Sequence, residues 1–272
     1  MQVRELAIYP IKSTAGLSLT EAEVQPWGLA GDRRWAVVDE AGGKVVAWRR
    51  HRLLSIHAEP TGTGLRLSAP DRPTLEVPFP DPSERLPTGH TRLASAVPAT
   101  PLAARWLSEL LDQPVRLVWL DDPRLRPMSQ QHGGRPGDSL SLADAAPVLL
   151  TSEASLAQLN EWVADRAAAE GEPVLPALAM ARFRPNVVID GQRPFAEDGW
   201  QGVRIGAVRF RLAELCDRCV MTTIDPDRLT TGKEPIRTLA RHRRWDRLTW
   251  FGVRLIPQST GLLRIGDQVE LA

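Results

Sequence analysis

Six short runs rich in Val, Ile, Leu or Trp fall within the first hundred residues, and this close spacing is the strongest constraint on the fold. They are Gln2–Tyr9, Arg34–Asp39, Lys44–Arg49, Leu53–Glu59, Gly64–Ser68 and Thr74–Val77. Turn-forming stretches separate them: Glu40-Ala41-Gly42-Gly43, Pro60-Thr61-Gly62-Thr63 and Ala69-Pro70-Asp71-Arg72-Pro73. Intervals this short leave no room for crossover helices, so the pattern predicts a barrel or sandwich rather than a parallel βαβ sheet. Proline-rich Val77–Pro87 reads as a surface connection.

Two helices interrupt this pattern. Pro101–Leu111 places Ala103, Trp106, Leu107, Leu110 and Leu111 on one face, and Thr151–Ala169 does the same with Leu156, Leu159, Trp162 and Val163. Thr151 or Ser152 is the expected N-cap of the second helix, ahead of Glu153. Pro123–Asp138, rich in Pro, Gly and Arg, reads as a linker or site loop. Strands then return at Asn186–Ile189, Gly202–Ile205, Ala207–Leu212, Val220–Ile224, Val253–Pro257 and Gln268–Leu271, with a short basic helix over Ile236–Arg244. The expectation is a mainly β chain with a few helices (α+β), in two β-rich lobes, residues 1–125 and 126–272.

Charge narrows the function classes. The chain of 272 residues carries 34 Lys+Arg against 33 Asp+Glu, a net charge of +1. Nucleic-acid and membrane-surface binders usually carry a one-signed field, so neither partner is expected. The start, Met1-Gln2-Val3-Arg4-Glu5-Leu6, puts charges where a signal peptide needs an apolar run, and no window reaches the roughly 20 apolar residues of a membrane span. These features point to the cytoplasm and reduced thiols.

The common signatures fail. No G-x-G-x-x-G follows a strand, Gly232-Lys233 lacks the rest of a P-loop, and neither H-E-x-x-H nor G-x-S-x-G occurs. What remains is Cys216-Asp217-Arg218-Cys219, holding both cysteines of the chain. Spacing alone allows a zinc half-site, a redox pair, incidental thiols, or one thiolate on a soft metal centre. Separate polar clusters stand at expected strand ends: Tyr9-Pro10-Ile11-Lys12-Ser13, Gly31-Asp32-Arg33-Arg34-Trp35, Thr151-Ser152 and Arg182-Phe183-Arg184-Pro185-Asn186. Pro185 should hold Arg184 extended. Arginine forks, a lysine and a helix N-terminus are the parts of a phosphate cradle.

In this order, Y-P-I-K-S, G-D-R-R-W, L-L-T-S-E-A-S-L, R-F-R-P-N, C-D-R-C-V-M-T-T-I-D-P-D and I-G-D-Q-V resemble MOSC-domain proteins carrying the N-terminal MOSC β-barrel, of the amidoxime-reducing type, over nearly the whole chain. The resemblance implies a C-terminal MOSC-type β-barrel and a molybdenum cofactor (Mo-molybdopterin) between the lobes. It puts the thiolate on molybdenum, hence the catalytic and metal-ligating role, at Cys219, and cofactor contacts at Lys12, Ser13, Arg33, Thr151, Ser152, Arg184, Asn186, Asp217 and Arg218. Asp217 would add negative charge beside the cofactor. The activity implied is reduction of small N-hydroxylated compounds (amidoximes, hydroxylamines, N-oxides) by oxygen-atom removal. Because no four-cysteine iron–sulfur domain follows, a separate electron-donor protein of flavin, iron–sulfur or haem type is expected, with the basic helix Ile236–Arg244 as its docking site. The alternative is a molybdenum-cofactor or sulfur carrier/transfer protein using Cys219.

Overall fold

A computed structural model describes residues 1–173 and 176–272. The chain forms two compact units, neither continuous in sequence. One holds Met1–Ala7, Ser18–Pro26 and Ala146–Ala272; the other holds Ile8–Leu17 and Trp27–Ala145. The architecture is mainly β, with three α-helices among the described residues.

The main sheet of the first unit runs Val269–Leu271, Gly202–Ile205, Val208–Asp217, Leu248–Pro257, Val148–Ser152, Val187–Ile189, Val3–Ile8. Val148–Ser152 and Val187–Ile189 are parallel neighbours, joined through helix α2 (Glu153–Glu170). A parallel pair needs such a crossover because the chain must return to the same end of the sheet. The helix buries Leu159 and Val163 against Leu178, Met180, Phe183, Val188, Leu239 and Phe251, the core of this unit. The short helix α3, Ile236–His242, adds Leu239 to the same cluster.

The second unit is built from two small antiparallel sheets. Trp35–Asp39, Val115–Trp119, Ser95–Pro98 and Leu86–Pro87 make one; His57–Thr61, Gly64–Ser68 and Leu75–Pro78 make the other. Helix α1, Pro101–Leu111, has the bounds that its apolar face predicts. Thr100 caps it through its hydroxyl, Pro101 takes the first turn where no N–H is needed, and Asp112 ends it in the left-handed region.

Four expected elements differ. Lys44–Arg49 is no strand; only Lys44 bridges to Val38 before the chain turns. Leu53–Glu59 divides into a 3-10 helix, His51–Ser55, and a strand, His57–Thr61. The helix expected from Thr151 begins at Glu153, with Ser152 as its N-cap as expected, because Thr151 and Ser152 close the preceding strand. Val220–Ile224, β-branched enough to read as a strand, is a 3-10 turn over Val220–Thr223. Thr222 donates to the Cys219 carbonyl through both its N–H and its hydroxyl, at 3.1 and 3.0 Å, and this local bonding outweighs strand propensity.

Candidate functional site

The cysteine motif lies where the strand Val208–Asp217 ends. Asp217 pairs with Trp250 of the antiparallel strand Leu248–Pro257. One residue on, the Arg218 N–H donates to the Thr249 carbonyl at 2.7 Å and the Thr249 hydroxyl donates back to the Arg218 carbonyl at 3.2 Å. Cys219 follows directly and caps the 3-10 turn. Its backbone is therefore held on both sides while its side chain is exposed and makes no hydrogen bond among the described residues. Cys216 is buried.

Arg218 ties the motif inward. Nη1 donates to Sγ of Cys216 at 2.8 Å, Nη2 to the Phe183 carbonyl at 2.6 Å, and the guanidinium lies 5.3 Å from the Phe183 ring centroid. Its buried Nε has no hydrogen-bond partner among the described residues. Asp217 faces Arg254, whose Nη2 donates to it at 2.6 Å while Nη1 donates to Glu214 at 2.6 Å. Burial pulls the Arg254 pKa down, but the charges of Cys216, Asp217 and Glu214 outweigh it and raise the value overall. The negative charge expected at Asp217 is thus matched by a cation.

The same unit holds the other helix-entry and R-P-N residues. Thr151 and Ser152 are fully buried. The Thr151 hydroxyl donates to Sδ of Met180 at 3.2 Å. Ser152 caps α2, and its Oγ lies 2.8 Å from the Ser155 Oγ and 3.3 Å from both carboxylate oxygens of Glu197. Glu197 is buried, and desolvation raises its pKa. The α2 N-terminus, read from sequence as an anion site, already faces this internal carboxyl group. Asn186 joins strands: its amide donates to the Ala7 carbonyl at 3.1 Å and accepts from the Leu149 N–H at 3.2 Å. Arg184 is not extended as Pro185 predicts. It takes φ 55°, ψ 47° where it caps the 3-10 turn Met180–Phe183, with its N–H donating to the Ala181 carbonyl at 3.1 Å, so the turn overrides the extended preference set by the proline.

In the second unit, Lys12, Ser13 and Arg33 come together on two linked turns. Arg33 N–H donates to the Tyr9 carbonyl, Lys12 N–H to the Trp35 carbonyl, and Tyr9 N–H to Asp32. Ser13 and Arg33 both have positive φ, 70° and 47°. Asp32 orients the Arg33 guanidinium at 2.5 Å, over the Tyr9 ring at 4.6 Å. The Lys12 ammonium donates to the Leu142 carbonyl at 2.8 Å and to the carboxylate of Asp144, whose own side chain is 87% exposed. Burial pushes the Lys12 pKa down, Asp144 pulls it up, and Arg126 and Arg33 push it down again.

Sequence patterns do not single out His90 or Arg126. Arg126 is buried and donates to the Thr91, Ser141 and Ala143 carbonyls, fixing the loop that presents Asp144. His90 is buried, and neither ring nitrogen has a hydrogen-bond partner among the described residues. Burial first, then the charges of Lys12, Arg126 and Lys44, depress its pKa to about 3. Arg126 falls in Pro123–Asp138, which sequence marks only as a linker or site loop, and a single His90 leaves no pattern that identifies it.

Among the described residues no group of three or more His, Cys, Asp or Glu could hold a metal ion. This sets the cysteine pair apart from a closed zinc site, which needs four ligands. A metal at Cys219 would instead be carried by another ligand set.

These features define a two-unit protein with one exposed cysteine on a rigid strand end and paired basic turns. The sequence matches the family models for the MOSC domain over residues 137–270 and for the MOSC N-terminal beta barrel domain over residues 1–114. Mitochondrial amidoxime-reducing component 1 of Homo sapiens is 32% identical, with 99% of this chain and 82% of that protein covered. The Mus musculus protein of the same name is 36% identical over the same shares. A molybdenum cofactor sulfurase of Danio rerio is 34% identical over 97% of this chain, which corresponds to 33% of that longer protein. The chain belongs to the MOSC family, in the branch with the N-terminal β-barrel domain. None of its described helices is long and apolar enough to cross a membrane.

Proposed function

We propose that this protein binds a molybdenum cofactor and reduces N-hydroxylated compounds. The observation that carries the reading is the Cys219 thiol, exposed and unbonded on a backbone held by Thr222, Thr249 and Arg218. Two further features suit an anionic organic group bearing a metal. Among the described residues, Arg218 keeps a buried Nε with no partner, and Lys12 has one carboxylate partner, the largely exposed Asp144. Relatives named amidoxime-reducing component and molybdenum cofactor sulfurase support the same cofactor.

When bound, the cofactor supplies two-electron oxygen-atom removal from an N–O group. For an amidoxime the balance is one substrate, two electrons and two protons giving one amidine and one water. Cys219, as thiolate, is the residue that would ligate the metal. Lys12, Ser13 and Arg33 would hold the phosphate, with Lys12 exchanging Asp144 for the incoming anion. Arg184 and Arg218 would supply further cations for the anionic group, and Arg218 also keeps Cys216 away from the ligand role. Thr151, Ser152, Asn186 and Asp217 would act by holding backbone and charge in place, since their side chains already have internal partners.

The test is metal analysis of protein from a cofactor-competent host, joined to benzamidoxime turnover with a chemical reductant. Molybdenum in stoichiometric amount with turnover supports the reading; protein free of molybdenum ends it. A second reading, sulfur transfer, is favoured by the free Cys219 thiol and the sulfurase relative. A persulfide on Cys219 in the intact mass spectrum would favour it over reduction.

A further inference from the structure

The arginines that make Ile236–Arg244 basic in sequence are mostly neutralised in the fold. Arg237 bonds Glu234 at 2.7 Å and Glu172 at 2.8 and 2.9 Å, Arg241 pairs with Glu170, and Arg243 pairs with Asp198. Two neighbouring guanidiniums, Arg244 and Arg247, are exposed and make no ion pair among the described residues. They lie on the hairpin that joins α3 to the strand Leu248–Pro257, where Arg244 pairs with Thr249 and Trp245 with Leu248. Asp246 and Arg247 form its tip, both at positive φ, with Asp246 the one acid of the turn.

The hairpin also carries exposed apolar side chains, and Val220 adds another beside the cysteine motif. Trp245 is 39% exposed, Leu248 43% and, directly after Cys219, Val220 50%. Trp245 stacks on Trp250 with ring centroids 5.8 Å apart, Trp250 Nε1 donates to the Trp245 carbonyl at 3.2 Å, and the Arg243 guanidinium lies 5.0 Å from the Trp245 ring centroid. Indoles held this way lose little further freedom on binding, so they suit an interface. Strand pairing of Asp217 with Trp250, and of Arg218 with Thr249, connects this hairpin to Cys219 without an intervening element.

We propose that the hairpin Arg244–Leu248, with Val220, is the docking surface for an acidic electron-carrier protein. This rests on the reductase reading, because each turnover then requires two electrons, delivered one at a time by two reduced carriers, with two protons from solvent. Charge chooses the partner: a second copy of this chain would oppose Arg244 and Arg247 with like charge, whereas acidic side chains complement them. An apolar centre with a charged rim beside a redox group suits the small, transient contacts of electron transfer.

The test uses full-length protein and reduced flavodoxin, an acidic flavin carrier, with basic cytochrome c as the counter-probe. Binding of flavodoxin is measured by calorimetry on cofactor-free and loaded protein, and reduction of loaded protein by stopped flow. The double variant R244E/R247E, exposed and outside the cofactor contacts, should weaken flavodoxin binding and slow its reduction about tenfold. It should flatten their salt dependence and leave dithionite-driven turnover unchanged. Equal binding by wild type and variant, or wild type binding cytochrome c as well as flavodoxin, overturns the proposal. Failure of the reductase reading shows itself separately, as no turnover with dithionite, and the binding arm still decides the surface.

Discussion

Arg218 places Nη1 2.8 Å from Sγ of Cys216, a buried sulfur, and leaves Cys219 three residues on with an exposed thiol. Two cysteines in one short motif thus have different physical roles. One is an internal hydrogen-bond acceptor, and the other is available to a ligand.

Substituting each cysteine should separate these roles. Cys219→Ser should change stability by less than about 0.5 kcal/mol, as for an ordinary surface position, and abolish molybdenum content and turnover. Cys216→Ala should cost about 1–2 kcal/mol through the lost packing and the buried guanidinium left short of an acceptor, while metal is retained. Urea denaturation and metal analysis of the two variants check this; metal lost from Cys216→Ala alone would reverse the assignment.

Arg254 should matter more than Asp217. Removing the guanidinium in Arg254→Met leaves Glu214 and Asp217 facing each other, and we expect a loss of about 2 kcal/mol in this partly exposed cluster. Asp217→Asn keeps the Glu214 pair and should cost under about 1 kcal/mol. Paired denaturation curves give both values.

His90 should make stability fall in acid. Its folded pKa of about 3 lies below the ordinary 6.5, so between these values the unfolded chain binds the extra proton. The stabilisation is complete above about pH 6.5 and is lost as pH falls toward 3. His90→Phe, which buries no ionisable group, should flatten the stability profile across that window, read from denaturant midpoints at stepped pH.

Lys12→Met should lower bound cofactor several-fold without unfolding the chain, because Asp144, its released partner, is already in water. The fluorescence of oxidised pterin released from purified protein measures this. Pterin content equal to wild type would remove Lys12 from the cradle.

Legibility in the sequence followed the range of the forces involved. Pro101–Leu111 could be read to the residue because its cap, its proline and its apolar stripe are all local. Val220–Ile224 reads as a strand because β-branching is visible in a sequence, whereas capture of the Cys219 carbonyl by Thr222 depends on the chain already turning there. Lys12 and Arg33 stand out as polar groups at expected strand ends, whereas Cys219 is singled out from Cys216 only by the resemblance of the ordered motifs. His90 and Glu197 did not, since burial of a single polar residue leaves no periodic trace.

The sequence by itself determined the β-rich class, the ordered motifs that carry the family, and the cysteine pair as the one candidate for soft-metal chemistry. Tertiary structure alone decided which thiol is exposed and which arginines keep an uncompensated charge. Arg237, Arg241 and Arg243 meet Glu172, Glu170 and Asp198, acids 45 to 71 positions away in the chain. Coulomb attraction depends on distance in space, so a helix that is basic in sequence can be neutral in the fold, and the free charge lies on the neighbouring hairpin.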